Sequence, residues 1–123
     1  MKTPQDLVAS YLAIWNETDD RARRMLISEA WTEDATYVDP MFEATGHDQL
    51  DGLIAGFQSQ FPGLTFRQVR DTESHHDLIR FSWELAPDGG EIIAAGTDVA
   101  TISDGRLQTV AGFFDQAPVL NTA

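Results

Sequence analysis

The chain has no cysteine. It can therefore build neither a disulfide framework nor a thiolate metal site. Positive charge is also scarce: 8 Lys and Arg stand against 20 Asp and Glu, a formal charge of −12. Such a surface repels nucleic acid, and no basic stripe offsets it. An anionic membrane is disfavoured on the same ground. The charge reads first as solubility, and as a functional signal it favours a neutral or cationic ligand. Long apolar runs are missing too, since none approaches the ~20 residues that span a bilayer. Met1 to Leu7 lacks a signal-peptide core and opens like a helix, so a cytoplasmic location is expected. No Gly-rich phosphate loop, G-x-S-x-G, H-E-x-x-H or EF-hand pattern occurs, and neither cofactor nor metal is expected.

What remains is an ordinary folded composition. The 123 residues are 42% hydrophobic and 23% charged, which fits one domain with one core. No linker, repeat or low-complexity run divides residues 1–123. Thr3-Pro-Gln-Asp6 is a helix start: a hydroxyl cap, Pro at the first helical position and an acid in the first turn. Val8, Tyr11, Leu12 and Trp15 then form one apolar face. Thr18 is expected to cap a second helix that turns Ala22, Met25, Leu26 and Ala30 inward and ends at Trp31. A short strand, Ala35 to Asp39, stops at Pro40. Glu43 to Gly46 reads as a turn or brief strand. A third helix from about Asp48 to Phe61 carries Leu50, Leu53, Ile54, Phe57 and Phe61 on its stripe. Gly52 and Gly56 within it suggest a close approach by another element.

The remainder is strand and turn: Leu64 to Arg70, Leu78 to Leu85, Ile92 to Ile102 and Leu107 to Asp115. Pro87-Asp-Gly-Gly90 and Ser103-Asp-Gly105 are hairpin turns. Residues from about 117 read as a loose tail. Two helices, a strand, a helix and four consecutive strands make an α+β domain, three helices against one strongly bent, mostly antiparallel sheet. Ala94, Gly96 and Ala100 on the inward phase of Ile92–Ile102 leave room for a pocket.

Two acids break the apolar pattern. Asp39 shares a strand face with Ala35 and Tyr37, and Asp98 with Ile92, Ala94, Ala100 and Ile102. A carboxylate on such a face is destabilised unless it is paired, hydrogen-bonded or protonated. An ionised Asp39 at a pocket mouth can take a proton, and a deeper, neutral Asp98 can donate a hydrogen bond. Tyr11 can supply a second donor. The plain alternatives stay open. Asp39 can simply satisfy backbone beside Pro40, Asp98 can pair structurally with Tyr11 or an amide, and Tyr11 can be core.

The Thr32-Glu-Asp-Ala-Thr-Tyr-Val-Asp-Pro40 segment, Gly46 before the third helix, and Gly96-Thr-Asp98 with Ser103-Asp-Gly-Arg-Leu107 resemble the NTF2-like superfamily. Within it, the chain resembles SnoaL-like proteins and ketosteroid isomerase over about residues 3–116. The resemblance implies a cone-shaped fold around a pocket. It also implies roles: Asp39 as general base, and Tyr11 with a protonated Asp98 as the oxyanion hole. The activity implied is that of an isomerase or polyketide cyclase. A non-catalytic ligand-binding or dimerisation domain is the alternative. Met41-Phe42 is bulkier and Val99-Ala100-Thr101 slimmer than the family pattern, which implies a different pocket shape. Arg80 lies on the polar phase of its strand, so the acid-bridging Arg of an epoxide hydrolase is missing.

Trp15, Tyr37, Phe57, Phe81, Trp83 and Phe113 are the expected pocket walls for a small, hydrophobic, neutral molecule. His75 and His76, as strand neighbours, point to opposite faces and read as a solvated turn rather than a metal site. His47 reads as a cap of the third helix, and Asp115 as a strand-end acid. Ile93, Val99, Val110 and Phe114 fall on the outward phase, with Ala95, Thr97 and Thr101. An apolar outer sheet face of this kind suggests a homodimer.

Overall fold

The computed structural model describes residues 2–116. The expected tail from 117 lies outside the described residues. Helix α1 spans Pro4–Asn16, with Thr3 and Asp6 capping each other's backbone N–H as their spacing predicts. Helix α2 spans Asp20–Ala30 and α3 spans Gly46–Gln60. The strands are β1 Trp31–Val38, β2 Glu43–Thr45, β3 Leu64–Gln68 and β4 Glu73–His75. They continue with β5 Leu78–Pro87, β6 Ala94–Ser103 and β7 Arg106–Gln116. One mixed sheet runs in the order β2-β1-β7-β6-β5-β3, with β4 paired separately to β5. Only β1 and β7, among the described strands, pair in parallel. The three helices lie on one side of this curved sheet, the α+β cone that the element order implies.

Helix α2 departs from its sequence reading. Its cap is Asp19, not Thr18, and its inward residues are Arg23, Ile27 and Ala30, while Met25 is 60% exposed. An arginine takes the inward position because Asp51 of α3 waits there. Arg23 Nε lies 2.7 Å from Asp51 Oδ1, and its Nη1 donates to Gln58 Oε1 and to the Glu17 carbonyl. The ion pair ties α2 to α3 where an apolar seam was expected. Gly52 and Gly56 meet no close neighbour, so close approach is not the reason for them.

The last strand also departs. Ile102 pairs with Leu107, but Thr101 pairs with Thr109, so Gln108 is an extra residue in β7. This bulge reverses the alternation beyond it. Val110, Gly112 and Phe114 therefore turn inward and Phe113 turns out, opposite to the simple phase reading. Ile93 is likewise inward, because it precedes β6 and does not obey that strand's alternation.

Candidate active site

Side chains from helices α1 and α3 and from strands β1, β3, β5, β6 and β7 line one cavity of about 70 Å³ between the helices and the sheet. Tyr11 and Trp15 come from successive turns of α1, Tyr37 from the end of β1, and Trp83 and Asp98 from the middles of β5 and β6. Asp39, half-buried, follows β1 and lines the same cavity. Both acids and Tyr11 line the cavity, as do Trp15, Tyr37, Phe57 and Trp83. Two expected walls do not. Phe113 is 61% exposed on the outer face, put there by the Gln108 bulge, and Phe114 lines the cavity instead. Phe81 is buried beneath Tyr11, ring edge against ring at 5.1 Å, and is core rather than wall. Sequence reasoning missed Leu64 and Phe66 as walls, although their alternation on β3 was a usable signal.

Asp98 is 2% exposed. Its Oδ2 accepts from the Tyr11 hydroxyl at 3.0 Å and its Oδ1 from the Trp83 indole Nε1 at 3.0 Å. Burial pushes its pKa up to about 6, held back by those two hydrogen bonds and assisted by the charges of Asp39 and Asp115. Asp39 sits in a different environment. The backbone N–H groups of Met41 and Phe42 each donate to its Oδ1 at 2.8 Å, and the Tyr37 hydroxyl donates to Oδ2 at 2.5 Å. The two plain alternatives of the sequence are thus realised together with the pocket placement. Asp39 folds the turn after Pro40, Asp98 pairs with Tyr11, and both still face the cavity. Burial raises the pKa of Tyr11 and Tyr37, each reinforced by its carboxylate neighbour, so both remain donors.

Two glycines set this geometry. A Cβ on Gly112 would lie 2.9 Å from Asp98 Oδ1 and 3.3 Å from the Asp39 Cβ, so both acids converge on that backbone. A Cβ on Gly96 would lie 2.4 Å from Trp83 Cζ2, so the space Gly96 leaves holds the indole and is not empty. A lone Gly inside a strand is a signal for such close approach.

The remaining candidates lie elsewhere. His47 does not cap α3; its Nε2 sits 2.9 Å from the Thr32 carbonyl and joins α3 to β1. His75 and His76 are exposed, but the left-handed His76 (φ 52°) brings their Nδ1 atoms to 3.0 Å, so the opposite-face reading fails at this turn. Asp115 is exposed and accepts from Thr97 Oγ1. Among the described residues, no group of three or more His, Asp or Glu could hold a metal ion, and no helix is long and apolar enough to cross a membrane.

Comparison with known proteins matches a SnoaL-like domain model to residues 8–110. A proposed isomerase of the SnoaL-like family from Agrobacterium tumefaciens str. C58 is 37% identical, over 89% of this chain and 94% of its own, with a TM-score of 0.85. A hypothetical protein with a ketosteroid isomerase-like fold from Catenulispora acidiphila, in complex with trimethylamine, is 17% identical. It covers 97% of this chain and 92% of its own, with a TM-score of 0.76. A proposed SnoaL-like polyketide cyclase from Jannaschia sp. CCS1 is 18% identical over 94% and 90%, with a TM-score of 0.69. The last two likenesses show the fold. No curated protein matches the sequence.

Proposed function

The chain belongs to the SnoaL-like family, and from that premise we propose that its pocket moves a proton on a small, mainly apolar carbonyl compound, as an isomerase or cyclase does. The observation that supports this best is the pair of carboxylates facing one apolar cavity in unlike environments. Asp39, oriented by Tyr37 and two backbone amides, takes the proton next to the carbonyl. Asp98 in its protonated form and Tyr11 hold the oxygen as negative charge develops on it. A positioned base is worth ~10²–10⁴ in rate, and an oxyanion donor on the order of 10²–10³. No step of this scheme calls on a cofactor.

Asp39→Asn is expected to abolish turnover of a β,γ-unsaturated cyclic ketone while phenol binding persists, measured by absorbance of the conjugated product and by calorimetry. Equal loss of both would mean that Asp39 shapes the pocket and does no chemistry. The donor role of Asp98 needs its proton, so kcat/KM is expected to fall as pH rises through about 6. A rate that climbs through that range would assign the base to Asp98 instead.

The outer sheet face carries Phe113 (61% exposed), Val38 (47%) and Leu78 (38%) among threonines, small residues and the paired charges of Arg80–Glu73 and Arg67–Glu84. We propose that a second copy of the chain covers it.

A further inference from the structure

The hydrogens around Asp98 can be counted. Trp83 Nε1–H donates to Oδ1, and the Tyr11 hydroxyl donates to Oδ2. With Asp98 ionised, both hydrogens are spent on the carboxylate and none is left for a ligand. Protonation of Asp98 adds one. An indole N–H donates and never accepts, so a hydrogen on Oδ1 cannot point at Trp83, and protonation there weakens the oxygen that the indole bonds. Oδ1 is also hemmed in by Gly112, where even a Cβ would come within 2.9 Å. The added hydrogen therefore belongs on Oδ2. It either goes to the Tyr11 oxygen and frees that hydroxyl's own hydrogen, or points past Tyr11 itself. Both arrangements leave one donor more than the three side chains absorb. Its takers are a ligand oxygen in the cavity or the oxygen of Tyr37, whose own hydrogen is held by Asp39.

Trp83 is kept in place by Gly96. The two residues pair across β5 and β6, and a Cβ on Gly96 would lie 2.4 Å from Cζ2 and 2.6 Å from the Phe113 carbonyl oxygen. Glycine alone lets the indole lie this close over β6.

We propose that Trp83, seated on Gly96, is the positioning residue of the pocket: it confines the Asp98 proton to Oδ2 and so aims one spare hydrogen-bond donor, supplied by Asp98 and Tyr11, at an uncharged ligand oxygen such as a ketone carbonyl. The choice of acceptor rests on the acid/base reading of the same site. Trp83 acts through Asp98 and touches no reacting atom in this role.

The titratable groups facing Asp98 are Tyr11 from α1 and Tyr37 and Asp39 from the end of β1, while the exposed Asp115 of β7 acts on it only through its charge. From β5 come only Phe81 and Trp83, which do not titrate, and no Lys, Arg or His lines the described cavity. The acidic neighbours and burial favour the protonated form, and the Trp83 and Tyr11 hydrogen bonds favour the ionised form. Loss of the indole N–H therefore shifts the balance toward the proton.

The test is carboxyl ¹³C NMR of Asp-labelled protein, with the Asp98 signal assigned from Asp98→Asn. In Trp83→Phe the Asp98 midpoint is expected to rise by about 1 pH unit or more, the effect of losing a hydrogen bond to a charged group. Benzothienylalanine at position 83 keeps the outline and replaces N–H by sulfur. It is expected to give the same rise and serves if Trp83→Phe does not fold. An unchanged midpoint overturns the role of Trp83. In a second arm, cyclohexanone affinity of the wild type is expected to fall up to tenfold per pH unit above the midpoint, and Asp98→Asn to remove that dependence. Affinity indifferent to pH overturns the aimed donor. Neither measurement needs turnover, so a protein that titrates as expected yet converts no ketone sinks only the proposed function.

Discussion

At the scale of single residues, Asp98 is the group with most at stake. Its folded pKa of about 6 lies above the ordinary carboxylate value of 3.8. Between those values the folded state keeps a proton that the unfolded state releases. Stability from this group is therefore fully present below about pH 4 and is lost as pH rises to about 6. At roughly 1.36 kcal/mol per pH unit, the loss is on the order of 3 kcal/mol. Asparagine can accept from Trp83 and donate to the Tyr11 oxygen without that penalty. Asp98→Asn is thus expected to melt higher than the wild type at pH 8 and to lose the advantage near pH 4, by thermal denaturation at both values. A lower melting temperature at pH 8 would show that the buried carboxylate stabilises the fold. The sequence marked Asp98 because an acid on an apolar strand phase is conspicuous. It gave no hint of the Trp83 bond, because a β5 partner 15 residues earlier in the chain becomes a neighbour only through sheet register.

At the scale of elements, the two departures have local causes. In α2 the amphipathic pattern is weak, and several registers of Ala22, Met25, Leu26, Ile27 and Ala30 satisfy it about equally. Asp51 decides among them by offering Arg23 a buried partner. Asp51→Ala leaves that guanidinium with the exposed Asp20 and with Gln58 and a carbonyl. Removing one partner of a buried pair destabilises by about 3–5 kcal/mol, and the residual contacts place the expected loss near the lower figure in urea unfolding. A loss below ~1 kcal/mol would mean that Asp20 alone suffices. In β7 the Gln108 bulge has no Gly or Pro to announce it. It follows from closing β7 against β6 and β1 at once, and it moves Phe114 into the cavity in place of Phe113.

At the scale of the whole molecule, shape and charge act together. Seven strands curve around three helices and leave the cavity on the concave side. The convex side presents Phe113, Val38 and Leu78 beside the ion pairs Arg80–Glu73 and Arg67–Glu84, on a chain whose formal charge is −12. If a second copy covers this face, association buries apolar area while the charged surface elsewhere keeps larger aggregates apart. Sedimentation at two concentrations is expected to show a dimer that Phe113→Asp converts to monomer without loss of the fold. A monomer at every concentration would leave the face without that partner.

By itself, the sequence determined the three helices, the main strands, the α+β class and the inward placement of Asp39, Asp98, Tyr11, Tyr37 and Trp15, while the short strand β4, Glu73–His75, escaped it. Those features follow from local periodicity, caps and turns, which are properties of neighbouring residues, and the family resemblance rests on the motifs around Asp39 and Asp98. Only the tertiary structure decided that Arg23 is buried, that Phe114 replaces Phe113, that Gly96 seats Trp83 and that both acids meet at Gly112. Each of these depends on strand register and on contacts between residues far apart in the chain, and one inserted residue in a strand exchanges its two faces.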